Sequence, residues 1–124
     1  MAAPNIVNVA TITGKSAVVN LTSTAATAVV SNAASSGKVF KINSILVANV
    51  DGSVAADINL AYYSQDDIGG TATELLSTVS VPQDSTLVAF DKNTAFYLEE
   101  DKSIGATASA ANDLKVFVSY EEIS

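Results

Sequence analysis

Residues 56–63, with the sequence ADINLAYY, contain the clearest strand pattern in this chain of 124 residues. Apolar and polar positions alternate along them, with Ala56, Ile58, Leu60 and Tyr62 on one side and Asp57, Asn59, Ala61 and Tyr63 on the other. Successive side chains of a β-strand point to opposite faces of the sheet. This stretch therefore predicts a strand with one face on a core and the other toward solvent.

The longest candidate strand lies just before it, at residues 39–50, VFKINSILVANV. Simple alternation places Phe40, Ile42, Leu46, Ala48 and Val50 on one side, and Lys41, Asn43, Ile45 and Val47 on the other. The second half is apolar on both sides, as in a central strand or a contact between subunits. Asp51-Gly52 then provides a strong turn signal.

Short alternating segments of this kind recur along the whole chain, separated by turn-rich stretches such as residues 31–38, SNAASSGK. A sustained helical stripe is absent from the sequence, and the spacing gives about nine or ten strands. We expect an all-β protein, an antiparallel β-sandwich of jelly-roll type. It is predicted to form one domain over residues 1–124, with residues 1–12 as an N-terminal arm or an edge strand. The strand order stays open.

The charge of the chain argues against nucleic acid as a partner. The net charge is −7, the six basic residues are all lysines, and the sequence pI is about 4.2. Nucleic-acid binders use basic stripes and favour arginine. We also expect no contact with a membrane, because the sequence has no apolar run of about 18 residues and no secretory signal pattern at its N-terminus.

Catalytic chemistry is also not expected. The sequence contains no histidine and no cysteine, so it lacks the usual zinc ligands, the commonest general base and any serine–histidine or cysteine–histidine nucleophile. Carboxylates remain, notably in the acidic turns Asp66-Asp67 and Glu99-Glu100-Asp101. These oxygens could attract calcium, but their spacing matches no known calcium loop, so we predict no enzyme activity, no cofactor and no bound metal.

Short phrases of the sequence resemble a family of small virion structural proteins from tailed bacteriophages of marine bacteria and cyanobacteria. The resemblance rests on KVFKINSILVANVDG, ADINLAYY, VPQDSTLVAFDK, FYLEEDKSI and the ending NDLKVFVSYEEIS, and it extends to the opening NIVNVATITGKSAVVNLT. It implies a β-sandwich, a structural role in the phage particle and self-assembly, often as trimers. The chain departs from the pattern at residues 64–73.

Resemblance and composition together predict a capsid decoration, or cement, protein of the virion, made in the host cytoplasm. Apolar residues make up 48% of the chain and charged residues only 15%, against roughly 25% charged in a typical domain, which favours contacts with other subunits. The expected partners are further copies of the chain, preferably in a trimer, and other virion proteins such as the major capsid protein. The predicted contact residues are Ile6, Val7, Val9, Ile45 and Val47.

Two other functions are also compatible with the sequence. The chain could instead be an accessory protein of the neck, tail or a fibre of the virion. It could also be a carbohydrate-binding or adhesive β-sandwich, for which an exposed tyrosine among Tyr62, Tyr63 and Tyr97 would supply the contact. Aromatic residues form only 6% of the chain, which counts against the second alternative.

Overall fold

The computed structural model describes Pro4 and residues 6–124. Within this part of the chain, nine strands and one short 3₁₀ turn make up the regular structure: β1 (Ile12–Asn20), β2 (Thr27–Asn32), β3 (Val39–Asn49), β4 (Ala56–Gln65), β5 (Gly69–Val81), β6 (Thr86–Phe90), the turn Lys92–Thr94, β7 (Phe96–Leu98), β8 (Lys102–Ala108) and β9 (Leu114–Ile123). The all-β prediction and the predicted number of strands are confirmed.

The strands form two antiparallel sheets. Sheet 1 has the order β1-β9-β3-β6, and β7 pairs with the first half of β3 where β6 pairs with the second half. Sheet 2 has the order β2-β8-β4-β5. A single apolar cluster contains buried residues of both sheets, so the predicted sandwich is confirmed, and the strand order is now defined.

Two buried asparagines join the sheets near opposite ends of β3. The Asn32 amide, from β2, donates to the carbonyl oxygens of Lys38 at 2.9 Å and Leu98 at 3.1 Å. The Asn49 amide, from β3, donates to the carbonyl oxygens of Val54 at 3.1 Å and Val81 at 2.9 Å. Buried polar groups are tolerated when they are hydrogen-bonded in this way, so each asparagine fixes one sheet against the other.

A bulge in β3 changes which residues of that strand face the core. The register with β9 shifts between Ile42 and Ser44, where Ile42 pairs with Tyr120 and Ser44 pairs with Ser119. One extra residue in a strand reverses the facing of everything beyond it. The strict alternation assumed from the sequence was therefore wrong for the second half of this strand.

Residues 64–73, where the chain departs from the family pattern, contain a tight hairpin between β4 and β5. The Gly69 amide donates to the carbonyl of Asp66 at 3.0 Å, and the two residues between them, Asp67 and Ile68, have φ values of 53° and 52°. Two positive φ angles in a two-residue loop match the twist of the flanking strands. A β-branched residue such as Ile68 rarely adopts this conformation; its amide is held at 2.9 Å by the Ser103 hydroxyl.

Candidate interaction surface

A row of four apolar side chains crosses the outer face of sheet 1. The strand register aligns Val18 of β1 with Phe117 of β9, Phe117 with Leu46 of β3, and Leu46 with Val88 of β6. Val18 is 66% exposed, Val88 57% and Phe117 37%, while Leu46 in the middle is half-buried. We call these four residues the apolar row; it gives the outer face a continuous strip of water-exposed hydrocarbon.

Polar residues lie on both sides of this strip. On one side, three serines line up across the sheet: Ser16 pairs with Ser119, and Ser119 with Ser44. On the other side the aligned residues are Asn20, Lys115, Ala48 and Thr86, all polar except Ala48. An apolar strip bordered by polar residues is the arrangement typical of a protein contact surface, with a dry centre and a wet rim.

The predicted contact residues Ile45 and Val47 do not lie on this surface. Both are fully buried in the core between the sheets, because the bulge in β3 turns them inward. Leu46 takes the outward position between them. The expectation for these two side chains was therefore wrong, whereas the central-strand interpretation of this segment is correct, since β3 lies between β9 and β6.

The predicted contact residues of the N-terminal arm do reach the surface. Ile6 is 52% exposed, Val7 90%, and Val9 is half-buried. Ile6 borders a shallow depression together with Val39 and Tyr97. Residues 1–3 and 5 of the predicted arm lie outside the described residues, and the edge strand itself begins at Ile12.

The apolar row was not predicted from the sequence, although the sequence contains a pattern that indicates it. Each member is the middle residue of three consecutive apolar residues in a strand: Ala17-Val18-Val19, Ile45-Leu46-Val47, Leu87-Val88-Ala89 and Val116-Phe117-Val118. In these four triplets the outer two residues point inward and the middle one faces away, as alternation along a strand requires. The register that aligns the four middle residues depends on the strand order, which the sequence did not provide.

The two acidic turns meet at one end of sheet 2. The Asp101 carboxylate accepts a hydrogen bond from the Asp66 amide at 3.1 Å, and the Asp66 carboxylate accepts one from the Ala34 amide at 3.1 Å. The Asp67 amide donates to the Ser31 hydroxyl at 2.8 Å. These carboxylates link neighbouring loops, because each accepts a hydrogen bond from a backbone amide that is distant in sequence. Among the described residues, no group of three or more carboxylate, imidazole or thiol side chains is arranged to bind a metal.

Glu122 near the end of β9 binds two lysines. The Lys38 ammonium lies 2.6 Å from one carboxylate oxygen, and the Lys15 ammonium lies 3.0 Å from the other. The hydrogen bond from Lys38, followed by that from Lys15, lowers the pKa of the Glu122 carboxyl. The same contact raises the pKa of Lys15. The charge of Lys15, the only charged residue of β1, is therefore balanced within the chain.

The adjacent tyrosines Tyr62 and Tyr63 behave differently from each other. Tyr62 packs against the core, and its burial raises the pKa of its hydroxyl, with a further contribution from the Glu99 carboxylate. Tyr63 lies across the outer face of sheet 2 over Gly105, where an added Cβ would come within 2.7 Å of its ring. Covering a strand glycine with a neighbouring aromatic ring stabilises a sheet, so Tyr63 has a structural role, and the exposed tyrosine is Tyr97.

A polar depression is present on the outer face of sheet 2. Its lining combines Asp57 and Asn59 of β4, Thr78 of β5, and residues 107–109 at the end of β8. Asn59 accepts a hydrogen bond from the Thr78 amide at 2.6 Å, and the Ser109 hydroxyl binds the Asp57 amide at 2.8 Å. Aromatic residues are not part of this lining, so the depression lacks a stacking platform for a sugar ring.

In the described part of the chain, no helix is long and apolar enough to cross a membrane.

Comparison with known proteins identifies the fold. The chain matches no protein-family model and no curated protein sequence. A subunit of the Bacillus endospore appendages, described as a family of disulfide-linked pili, is similar over 92% of this chain and 88% of its own, with 16% identity and a TM-score of 0.53. A chain of the acid-stable capsid of the Helicobacter pylori bacteriophage KHP30 is similar over 94% of this chain and 90% of its own, with 8% identity and a TM-score of 0.50.

A third structure is more distant. It contains modules of the Clostridium thermocellum endo-1,4-beta-D-xylanase 10B complexed with xylohexaose, and it covers 87% of this chain and 25% of its own at 12% identity. Its TM-score is 0.34. At these identities, the likeness of the first two structures concerns the fold of the chain.

Proposed function

We propose that this chain is a non-enzymatic structural subunit of a bacteriophage particle, and specifically a capsid decoration, or cement, protein. The observation that carries the proposal is the apolar row, a strip of hydrocarbon exposed on a regular sheet and bordered by polar residues. The phrases shared with small phage virion proteins support it. So does the fold shared with subunits of two assemblies, a pilus and a phage capsid.

The proposed contact is small, which fits a subunit that acts by repetition. Four strands spaced about 4.8 Å apart make the apolar row roughly 14 Å long. A stable isolated complex usually buries about 800 Å² on each partner, which is more than one such strip provides. A repeated lattice multiplies weak contacts because each bound subunit raises the effective concentration of its neighbours. The decoration layer would in this way strengthen the shell against internal pressure.

The proposed partners are further copies of this chain and the major capsid protein, with the virion as the site of action. A trimer is the proposed oligomer on the basis of the family resemblance. The acidic character of the chain is consistent with a position facing solvent instead of DNA, since its net charge is −7 and phosphate binding requires the opposite sign.

The first test compares two variants in particles that carry this chain. Phe117→Asp places a charge in the apolar row, and Ser119→Asp places the same charge two residues along the same strand and face, outside the row. We expect Phe117→Asp to be lost from particles and to lower their melting temperature, and Ser119→Asp to be retained. Thermal unfolding of each isolated variant verifies that both still fold. Equal retention of two folded variants would contradict the proposed role of the row.

The second test distinguishes decoration from a place in the neck, tail or a fibre. Quantitative mass spectrometry of purified particles gives the ratio of this chain to the major capsid protein. A decoration protein is expected in numbers comparable to those of the capsid subunit. A ratio of a few per cent or less would instead assign the chain to a neck, tail or fibre position.

A further inference from the structure

One edge of sheet 1 is a regular strand that pairs with no further strand in the described part of the chain. The strand β1 lies at the end of the sheet, and its nine residues pair with β9 without any register shift. The opposite edge is divided between β6 and β7. In sheet 2, the pairing of edge strand β5 has three irregularities and that of β2 has one. Natural edge strands are usually protected by bulges, prolines, charges or short length, and β1 has few of these protections.

The alternation of hydrogen bonds between β1 and β9 identifies which backbone groups of β1 point away from the sheet. Thr11 and Ser124 exchange both of their backbone hydrogen bonds, at 3.0 Å each, and the Leu21 amide donates to Leu114 at 3.0 Å. Hydrogen-bonded pairs alternate along an antiparallel ladder. The odd-numbered residues of β1 therefore bond to β9, and the backbone groups of the even-numbered residues point outward. These are Ile12, Gly14, Ser16, Val18 and Asn20.

The side chains at this edge favour approach by another strand. None of the five outward residues is charged, and their side chains share the outer face with the apolar row, which ends at Val18. The one charged residue of β1, Lys15, is bound to Glu122 at 3.0 Å. Two copies that each carry a net charge of −7 repel each other. A locally neutral edge is where such copies can approach at the lowest electrostatic cost.

We propose that two copies of this chain join through their β1 strands, antiparallel and centred on Ser16, to form one continuous sheet. In this register residue 16 faces residue 16 of the second copy, 14 faces 18, and 12 faces 20. All five outward residues of each strand then become hydrogen-bonded, which forms about ten new backbone hydrogen bonds. Shifting the centre by one or more residues leaves some of these groups unpaired, so the symmetric register is the most favourable.

This inference deepens the self-assembly part of the proposed function by naming the edge and the register. It does not conflict with a trimer built through another surface, because β1 would then link one trimer to the next. The occupant of the edge is a second copy because β1 is self-complementary: the same nine residues satisfy both sides of a two-fold axis. A strand from a different protein would leave the isolated chain without β1–β1 contacts.

Single cysteines test the pairing directly, because the natural chain has none. In the proposed register, the two Ser16 Cα atoms lie about 5.5 Å apart, within disulfide range. Ser119, which is paired with Ser16 on the same face, lies one strand further in, so its two copies are roughly 14 Å apart. Under mild oxidation we expect Ser16→Cys to form covalent dimers at least about ten times faster than Ser119→Cys.

Mixtures of two different cysteine variants test the proposed register. Gly14→Cys and Val18→Cys should each cross-link poorly alone and readily when mixed, because residue 14 faces residue 18. Gly14 has open space for the new side chain, with nothing within 4 Å of an added Cβ. Equal cross-linking rates for Ser16→Cys and Ser119→Cys, or no preference for the mixture, would overturn the proposal.

A proline variant tests the edge in solution. The Ser16 amide points outward, so Ser16→Pro removes a donor for the second copy without removing one used by β9. We expect light scattering to show weaker self-association than for the wild type, with an unchanged melting temperature. Undiminished association of the folded Ser16→Pro variant would also overturn the proposal. Because these experiments use only the isolated chain, they can succeed where the particle tests fail, and the two outcomes remain distinguishable.

Discussion

Replacing Asn49 by alanine should strongly lower the free energy of unfolding of the sandwich, because Asn49 is a buried side chain that links the two sheets. The side chain is 2% exposed and makes three hydrogen bonds. It donates to the carbonyls of Val54 and Val81, and it accepts from the Asp51 amide at 2.9 Å. The bond to Val81 connects sheet 1 to sheet 2, so its loss affects the packing of one layer on the other.

The magnitude follows from these three bonds. Each intramolecular hydrogen bond contributes about 1 kcal/mol net, and a buried group left without a partner costs about 1–3 kcal/mol. The expected loss for Asn49→Ala is therefore about 3 kcal/mol. The whole stability of a domain of this size is about 5–15 kcal/mol, so the effect is a large fraction of the total.

Urea unfolding followed by circular dichroism measures this loss. With an m-value of about 1–3 kcal/mol per molar urea, the midpoint should fall by about 1–3 M. Asn20→Ala is the matched control, since Asn20 is exposed at the end of β1 and should change stability by less than about 0.5 kcal/mol. If both variants unfolded at the same urea concentration, the assignment of Asn49 as a link between the sheets would be refuted.

Three further predictions concern the core, the ion pairs and a covered glycine. Ile45→Ala should cost about 2–5 kcal/mol in urea unfolding because Ile45 is fully buried, and Leu46→Ala on the opposite face should cost clearly less; equal costs would contradict the bulge. Two lysines lower the folded-state pKa of Glu122, so its contribution to stability is present above the unfolded-state pKa of about 4.3 and is lost as the pH falls through the folded-state pKa. Glu122→Gln should therefore reduce stability at neutral pH by less than about 1 kcal/mol and make no difference in strong acid. A stability difference that grew as the pH fell would contradict a lowered pKa of Glu122 in the folded state. Gly105→Ala should cost about 1–3 kcal/mol and change the near-ultraviolet spectrum, because the new methyl group would come within 2.7 Å of the Tyr63 ring and 2.8 Å of the Ile68 Cγ2 atom; an unchanged melting temperature would show that both side chains can move aside.

The sequence was sufficient for the strands but not for their partners. Local alternation identified β4 and most of β3, because period-two burial is a property of neighbouring residues. Which strands lie side by side depends on contacts between distant residues, such as Ile12 with Ile123. Local patterns carry no information about that choice, and the apolar row could not be assembled without it.

The wrong faces for Ile45 and Val47 have a single local cause. Simple alternation assumes a regular strand through Ser44, whereas the chain inserts one extra residue between Ile42 and Ser44. A bulge keeps the backbone extended and leaves no strong compositional mark. The apolar triplets were the better guide in this strand, since Ile45-Leu46-Val47 has its outer two residues in the core and Leu46 facing outward.

The extra residue in β3 makes this strand sensitive to a change in its length. Deleting one residue there would exchange inside and outside for everything from Ile45 to Asn49, sending the core side chains into water and Leu46 into the interior. The strand therefore tolerates substitution far better than it tolerates a change in length. Related chains that keep the apolar row should vary in sequence mainly at the outward positions of the strand but should hold constant the number of residues between Phe40 and Asn49.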